Sequence, residues 1–201
     1  MQFYRRFGKR LFDLLMSSLA SLLLLIPGLF IALLIKAGSK GPVFFKQQRL
    51  GYQGRVFAIF KFRTMTHRPR VPDSQTFPDD PEVTKAGRFL RRFKLDEIPQ
   101  FINVLRGDMS LIGPRPCLPE LKEAFDENGF ARLGVRPGLF GLADIRGGYY
   151  LTWPQRWVHD REYTERLSLW LDSSLALKVI PIILFDEDFW LKKNQNQDKK
   201  Q

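Results

Sequence analysis

Two adjacent carboxylates, Asp96 and Glu97, stand directly behind three cations in the run Arg91-Arg92-Phe93-Lys94-Leu95-Asp96-Glu97-Ile98-Pro99-Gln100. A carboxylate in a cationic setting can serve as a covalent nucleophile, a general acid or base, or an oxygen ligand for a hard cation. Ile98, Phe101, Ile102 and Leu105 fall at i, i+3, i+4 and i+7 and predict an amphipathic helix, with Gly107 where it would stop. Asp96 fits the N-cap of that helix, and Pro99 falls in its first turn, where a missing N–H costs nothing. Two neighbours inside a helix point about 100° apart; at a helix start the cap lies off the helical path, so both carboxylates can face one cleft. The free N–H groups and positive dipole end would make that cleft a phosphate cradle. An acidic N-cap forming a surface salt bridge with Arg91 or Arg92 explains the stretch equally simply.

The rest of the chain must hold these groups in place. Its 201 residues suffice for one domain with a core, or for a small domain plus a membrane anchor. Lys and Arg number 32 against 21 Asp and Glu, a formal net charge of +11. Such an excess suits a polyanionic partner: nucleic acid, an anionic membrane surface or phosphorylated substrates. The single cysteine, Cys117, excludes an intramolecular disulfide and a cysteine-built metal site, and two histidines make poor material for a zinc site. A metal here would be a hard ion held by oxygen, such as magnesium.

From Leu14 to Ile35 there is no charge, a length at which about 20 apolar residues can cross a bilayer. Pro27-Gly28 interrupts the run, and both flanks are basic: Arg5, Arg6, Lys9 and Arg10 before, Lys36, Lys40, Lys46 and Arg49 after. Proline bends a helix, and positive flanks stay in the cytoplasm. A bent hairpin that enters and leaves by one face satisfies both conditions; a straight span is the alternative. Ser17, Ser18 and Ser21 could satisfy carbonyls freed near the bend.

Val43–Gln47 and Val56–Phe62 predict two strands joined through Gly51–Gly54. His67–Pro81, rich in proline and aspartate, reads as a long loop. Thr84–Phe93 predicts a basic helix leading to Asp96. Beyond Gly107, Arg115 lies between two prolines that stiffen its backbone, as an anion clamp requires, although an exposed loop arginine fits as well. Leu118–Leu133 and Trp153–Leu171 predict helices, and Arg136–Gly148 reads as a glycine-rich loop. Leu175–Phe185 is apolar but too short to cross a bilayer; it suits either the membrane interface or the core. Residues 192–201 have the composition of a disordered tail.

The runs Phe89–Gln100 and Asn103–Pro116 closely resemble the bacterial sugar transferases, the monotopic polyprenyl-phosphate phosphoglycosyl transferases. Lys61-Phe62-Arg63-Thr64-Met65, Arg136–Ala143 and the basic-flanked apolar segment look like further blocks of that family, in order along nearly the whole chain. The resemblance implies an enzyme on the cytoplasmic face of the bacterial inner membrane. Such an enzyme transfers a phosphosugar from a nucleotide diphosphate sugar, usually UDP-linked, to polyprenyl phosphate. By motif, Asp96 would be the nucleophile and a magnesium ligand, and Glu97 would assist proton transfer. Lys61, Arg63, Arg91, Arg92, Arg115, Arg136 and Arg146 are the candidate substrate contacts. Two departures stand out. Ile26-Pro27 replaces a Ser-Pro pair, and Asp144-Ile145-Arg146-Gly147-Gly148 offsets the arginine expected after Ala143.

The expected fold is thus α+β: a re-entrant membrane helix hairpin over 1–37, then a catalytic domain over 38–191 with a small β-sheet and amphipathic interfacial helices. A tethered nucleic-acid binder would not need clustered carboxylates, and a non-catalytic scaffold would not need Asp96, Glu97, Lys61 and Arg115 together. No nucleic-acid partner is therefore expected, and self-association is left open.

Overall fold

The structure, a computed structural model, describes residues 3–66 and 80–185. The loop expected over His67–Pro81 falls almost wholly outside the described residues, as does the tail expected over 192–201. The architecture is mixed α and β, as the sequence predicts.

A π-helical turn, Tyr4–Gly8, runs into α1 (Lys9–Leu23), which is followed by α2 (Leu25–Gly38). The two helices are bent by 58° where Leu24 leaves the helical region. The break lies at Leu24 rather than at Pro27-Gly28. Pro27 sits in the first turn of α2, where its missing N–H is harmless, while its ring crowds the carbonyl four residues earlier, at Leu23. Among the described residues no single helix is long and apolar enough to cross a membrane; the bent pair passes that test together.

Helix α1 is polar inside and apolar outside. Lys9, Asp13 and Ser17, at i, i+4 and i+8, are its buried residues, whereas Leu11, Leu15, Met16, Leu19, Leu22 and Leu23 are exposed. Asp13 accepts hydrogen bonds from the Ser110 hydroxyl at 2.9 Å and the Leu111 amide at 3.1 Å. Lys9 donates to the Ile112 carbonyl at 2.9 Å and pairs with Asp172 at 2.9 Å. Asp172 also accepts from Tyr4 and Tyr163, at 2.5 and 2.7 Å. Removing these charges from water is costly, and the mutual pairing is what offsets the cost. Ser17 does not serve the bend: its hydroxyl is buried and has no hydrogen-bond partner.

Strands β1 (Phe44–Leu50) and β2 (Val56–Phe62) form the expected antiparallel hairpin, in register from Phe44↔Phe62 to Leu50↔Val56. Side chains alternate between its faces. Phe62 packs with Ile31, Ile35 and Leu90, whereas Ile59 packs with Val104, Met109 and Leu139. Arg49, Gln47, Ile59 and Lys61 therefore share one face. Helix α3 (Lys85–Arg92) follows, capped by the Thr84 hydroxyl, which accepts from the Gly87 amide. A Cβ at Gly87 would meet the Thr64 carbonyl oxygen at 1.9 Å, so α3 can lie against the end of β2 only with glycine there.

After α4 (Gln100–Arg106), short strands β3 (Ser110–Ile112) and, later, β4 (Gly138–Phe140) pair in parallel. Arg136–Gly148 is thus not a loop: it supplies β4 and α6 (Leu142–Arg146). The helix expected over Leu118–Leu133 is broken. A 3-10 stretch, Pro119–Ala124, gives way to extended Phe125 and Asp126 before α5 (Glu127–Ala131). Asp126 caps α5 by accepting from Gly129, and Phe125 packs edge-on against Trp157 with centroids 5.1 Å apart. Helix α7 (Trp153–Arg166) stops before Leu171, and α8 (Leu169–Phe185) continues past it. Leu175, Val179 and Ile182 of α8 are buried, while Leu177, Ile180 and Leu184 are exposed, so one helix serves both the core and an outward apolar face.

Candidate active site

The carboxylate pair sits on a tight turn. Lys94 adopts a left-handed conformation (φ 54°, ψ 18°), and Leu95–Glu97 form a 3-10 turn closed by Glu97 N–H donating to the Lys94 carbonyl at 3.1 Å. Asp96 is not the N-cap of α4, which begins at Gln100 behind Pro99. Pro99 has no N–H to donate to the Leu95 carbonyl four residues back, and i→i+3 bonds continue through Phe101→Ile98 and Ile102→Pro99. Helix α4 has only seven residues and starts beyond the dyad. The positive field at Asp96 therefore comes from side chains rather than from a helix dipole.

Lys61 and Arg115 supply it. Arg115 grips Glu97 with both terminal nitrogens, at 2.7 Å to Oε2 and 2.5 Å to Oε1, and also donates to the Leu139 carbonyl. Lys61, from the inward face of β2, donates to Glu97 Oε1 at 2.8 Å and lies 3.8 Å from Asp96 Oδ2. Both carboxylates are nearly buried, Asp96 at 7% and Glu97 at 4% exposure. Their electrostatic states nonetheless diverge. Burial pushes the Asp96 carboxyl above the usual carboxylate range; Lys61 opposes the shift and the neighbouring Glu97 charge adds to it. Burial would raise Glu97 too, but Arg115 and Lys61 outweigh it and hold Glu97 well below that range. Glu97 is the fixed anion of the site, and Asp96 is the carboxylate that is not clamped by an arginine fork.

Support extends outward through α4 and α7. Asn103 offers its side-chain amide to the free edge of β2, donating to the Ala58 carbonyl at 2.8 Å and accepting from the Phe60 amide at 3.1 Å. Arg10 of α1 donates to the Val104 and Leu105 carbonyls at 2.6 and 2.8 Å, closing the C-terminal end of α4. Arg132 donates to the Arg115 carbonyl and pairs with Asp160 of α7 at 3.3 Å.

The structure thus brings Asp96, Glu97, Lys61 and Arg115 together. Arg91 is close enough for its charge to act on Asp96, while its Nε donates to Thr64 at 2.9 Å. The other expected contacts are engaged elsewhere. Arg63 donates to the Ser39 and Lys40 carbonyls at 2.8 and 2.7 Å, tying the exit of α2 to β2. Arg136 donates to Gly107 at 2.9 Å and lies over Tyr52. Arg92 is exposed against Phe93, and Arg146 pairs with Glu162 on α7. Lys94 was not among the expected contacts, yet its charge acts on both carboxylates, and it borders a shallow depression with Arg115, Phe140, Asp144 and Ile182. Its left-handed backbone is the only mark that separates it from the other nearby cations, and the sequence does not display it.

Among the described residues no three His, Cys, Asp or Glu side chains gather as a metal cluster. Because Lys61 and Arg115 occupy Glu97, Asp96 is the one carboxylate of the pair left to offer oxygen. That donor set suits magnesium, which keeps waters and takes one or two carboxylates plus substrate phosphates.

The family model described as bacterial sugar transferase matches residues 4–186. The chain is 36% identical to the uncharacterized sugar transferase EpsL of Bacillus subtilis, over 89% of this chain and 88% of that protein. It is 44% identical to the undecaprenyl-phosphate glucose phosphotransferase of Komagataeibacter xylinus over 90% of this chain, but spans only 36% of that longer protein. It is 41% identical to the UDP-glucose:undecaprenyl-phosphate glucose-1-phosphate transferase of Caulobacter vibrioides, over 88% of this chain and 69% of that protein. A match along almost the full length, with the dyad and its cations assembled in one place, makes this chain a member of the bacterial sugar transferase family.

Proposed function

We propose that the chain transfers a phosphosugar from a UDP-linked sugar to undecaprenyl or a related polyprenyl phosphate, through a covalent intermediate on Asp96. The relatives' names supply the reaction class, and the unequal treatment of the two carboxylates supports the covalent role. An Asp96 oxygen attacks the phosphorus that carries the sugar, the bond to the nucleotide breaks, and UMP leaves with both bonding electrons. A phosphate oxygen of the lipid then attacks the same phosphorus and releases the Asp96 carboxylate, leaving a polyprenyl diphosphate sugar. Lys61 and Arg115 offset the repulsion between the carboxylate and the anionic donor. Glu97, clamped by Arg115, orients that guanidinium and Lys61. Asp96 and the donor diphosphate would hold magnesium, which neutralises charge developing on the leaving phosphate.

The same proposal places the enzyme on the cytoplasmic face of the inner membrane. Helix α1 turns leucines outward and a polar stripe toward the protein, an arrangement that supports contact with hydrocarbon, where polar groups cannot face outward. The bend at Leu24 between two basic flanks supports re-entry. A long-chain lipid acceptor never leaves the bilayer, so a site built against α1 meets it at the surface.

The test is UMP release by purified protein with undecaprenyl phosphate, magnesium and a panel of UDP-sugars. Release that requires lipid, metal and Asp96 establishes the reaction. No release with any donor contradicts it.

A further inference from the structure

Arg49 is a half-buried arginine that the site, as described, does not use. It lies on the β1 face that also carries Gln47, the face on which β2 presents Ile59 and Lys61. Among the described residues its side chain makes one hydrogen bond, from Nη2 to the Gln47 amide oxygen at 2.6 Å, a neutral acceptor. Its Nε is buried and has no hydrogen-bond partner, and among the described residues no carboxylate lies within ion-pair distance of it. Burial and the nearby Arg115 charge push Arg49 below the usual arginine range, with Glu97 among the opposing charges.

The backbone explains this neighbourhood. The next residue, Leu50, donates its amide to the Cys117 carbonyl at 2.9 Å, and Cys117 lies two residues beyond Arg115. That bond draws the end of β1 to the segment that carries Arg115, and the charges of Arg115 and Glu97 both act on Arg49. A buried guanidinium Nε left without an acceptor, in the field of a second guanidinium, is unfavourable for an isolated protein. It becomes favourable when an anion with several acceptor oxygens bridges the two. Lys61 and Arg115 are engaged with the fixed anion Glu97, whereas Arg49 still has donor capacity to give.

We infer that Arg49, with Arg115, forms a phosphate-binding subsite next to the Asp96 centre, taking a phosphate group of the donor diphosphate or of the lipid acceptor. The inference rests on reading that centre as a phosphoryl-transfer site. A phosphate oxygen would accept from the otherwise unpartnered Nε and from a terminal nitrogen, so the arginine fork should matter as well as its charge.

The experiment is calorimetric binding of inorganic pyrophosphate to the full chain in detergent. It needs no turnover, so its outcome is separate from that of the UMP-release test. Arg49→Gln should weaken pyrophosphate binding about tenfold or more, as expected for loss of a charged hydrogen bond. Arg49→Lys should recover part of the affinity, and Arg161→Gln, a change at an exposed ion pair on α7, should leave it intact. Each variant is accepted only if its melting temperature matches the parent. Wild-type affinity in Arg49→Gln, or equal loss in Arg161→Gln, overturns the inference. If Arg49→Gln fails to fold, Arg49→Lys carries the test alone: weaker pyrophosphate binding supports the subsite, and unchanged binding overturns it. The source of the phosphate follows from steady-state constants: a raised KM for UDP-sugar assigns the subsite to the donor, and a raised KM for polyprenyl phosphate with a normal donor KM assigns it to the acceptor.

Discussion

Arg115 holds Glu97 by two parallel hydrogen bonds of 2.5 and 2.7 Å, and the consequence falls on the next residue in the chain. With Glu97 fixed as an anion, its buried neighbour Asp96 is kept apart from that fork, and it is to this carboxylate that the proposed mechanism gives the nucleophilic role.

Replacing Arg115 with lysine keeps a positive charge but cannot bridge both Glu97 oxygens. Loss of one charged hydrogen bond corresponds to a fall in kcat of roughly ten- to a hundredfold. Circular dichroism and membrane retention should be unchanged. A variant with full kcat would show that the fork does not matter.

The pH dependence follows from the direction of the Asp96 shift. A nucleophilic Asp96 must be deprotonated, so activity falls as pH drops through its folded pKa. Burial raises that pKa, which moves the acid limb above the usual carboxylate value. Lys61 acts to lower it, so Lys61→Met should move the limb to still higher pH. A limb that stays put or moves to lower pH in Lys61→Met would contradict this assignment.

The inward stripe of α1 carries a stability prediction. Asp13→Ala leaves the Leu111 amide without its acceptor, while Lys9 keeps Asp172 and the Ser110 hydroxyl keeps the Ile112 carbonyl. Leaving a buried donor unsatisfied costs about 1–3 kcal/mol. Chemical denaturation in detergent measures it; a loss below about 1 kcal/mol would mean that water already reaches the cluster.

Topology can be read with thiol labels, because the one native cysteine, Cys117, is 1% exposed and so shielded from reagents. Cysteines introduced at Phe3 and Lys40, on either side of the α1–α2 bend, should both label only from the cytoplasmic side. Labelling of Phe3→Cys from outside would indicate a straight span.

Much of this was legible in the sequence, because it rests on local signals. The apolar run Val56–Phe62 and the basic stretch Thr84–Phe93 mark β2 and α3 directly, and the charge-free run with Pro27 marks the bent helix pair. Asp96, Glu97, Lys61 and Arg115 meet as their motifs imply. What was not legible depends on distant partners. Phe125 leaves the helix expected over Leu118–Leu133 because Trp157 offers it a packing surface. Arg63, Arg136 and Arg146 each bond to groups far away in sequence, so their charge alone could not place them. The 3-10 turn at Asp96 arises from the left-handed Lys94, a backbone choice that no residue type there announces.

The most direct measurement of the Asp96 assignment is a single turnover without lipid acceptor: protein, magnesium and the preferred UDP-sugar, followed by UMP quantitation and intact mass. A covalent mechanism gives a burst of about one UMP per chain, with a phosphosugar mass increment on Asp96 that disappears when polyprenyl phosphate is added and never forms in Asp96→Asn. UMP that appears only after lipid is added, with no adduct at any time, would mean direct transfer and would remove Asp96 as the nucleophile.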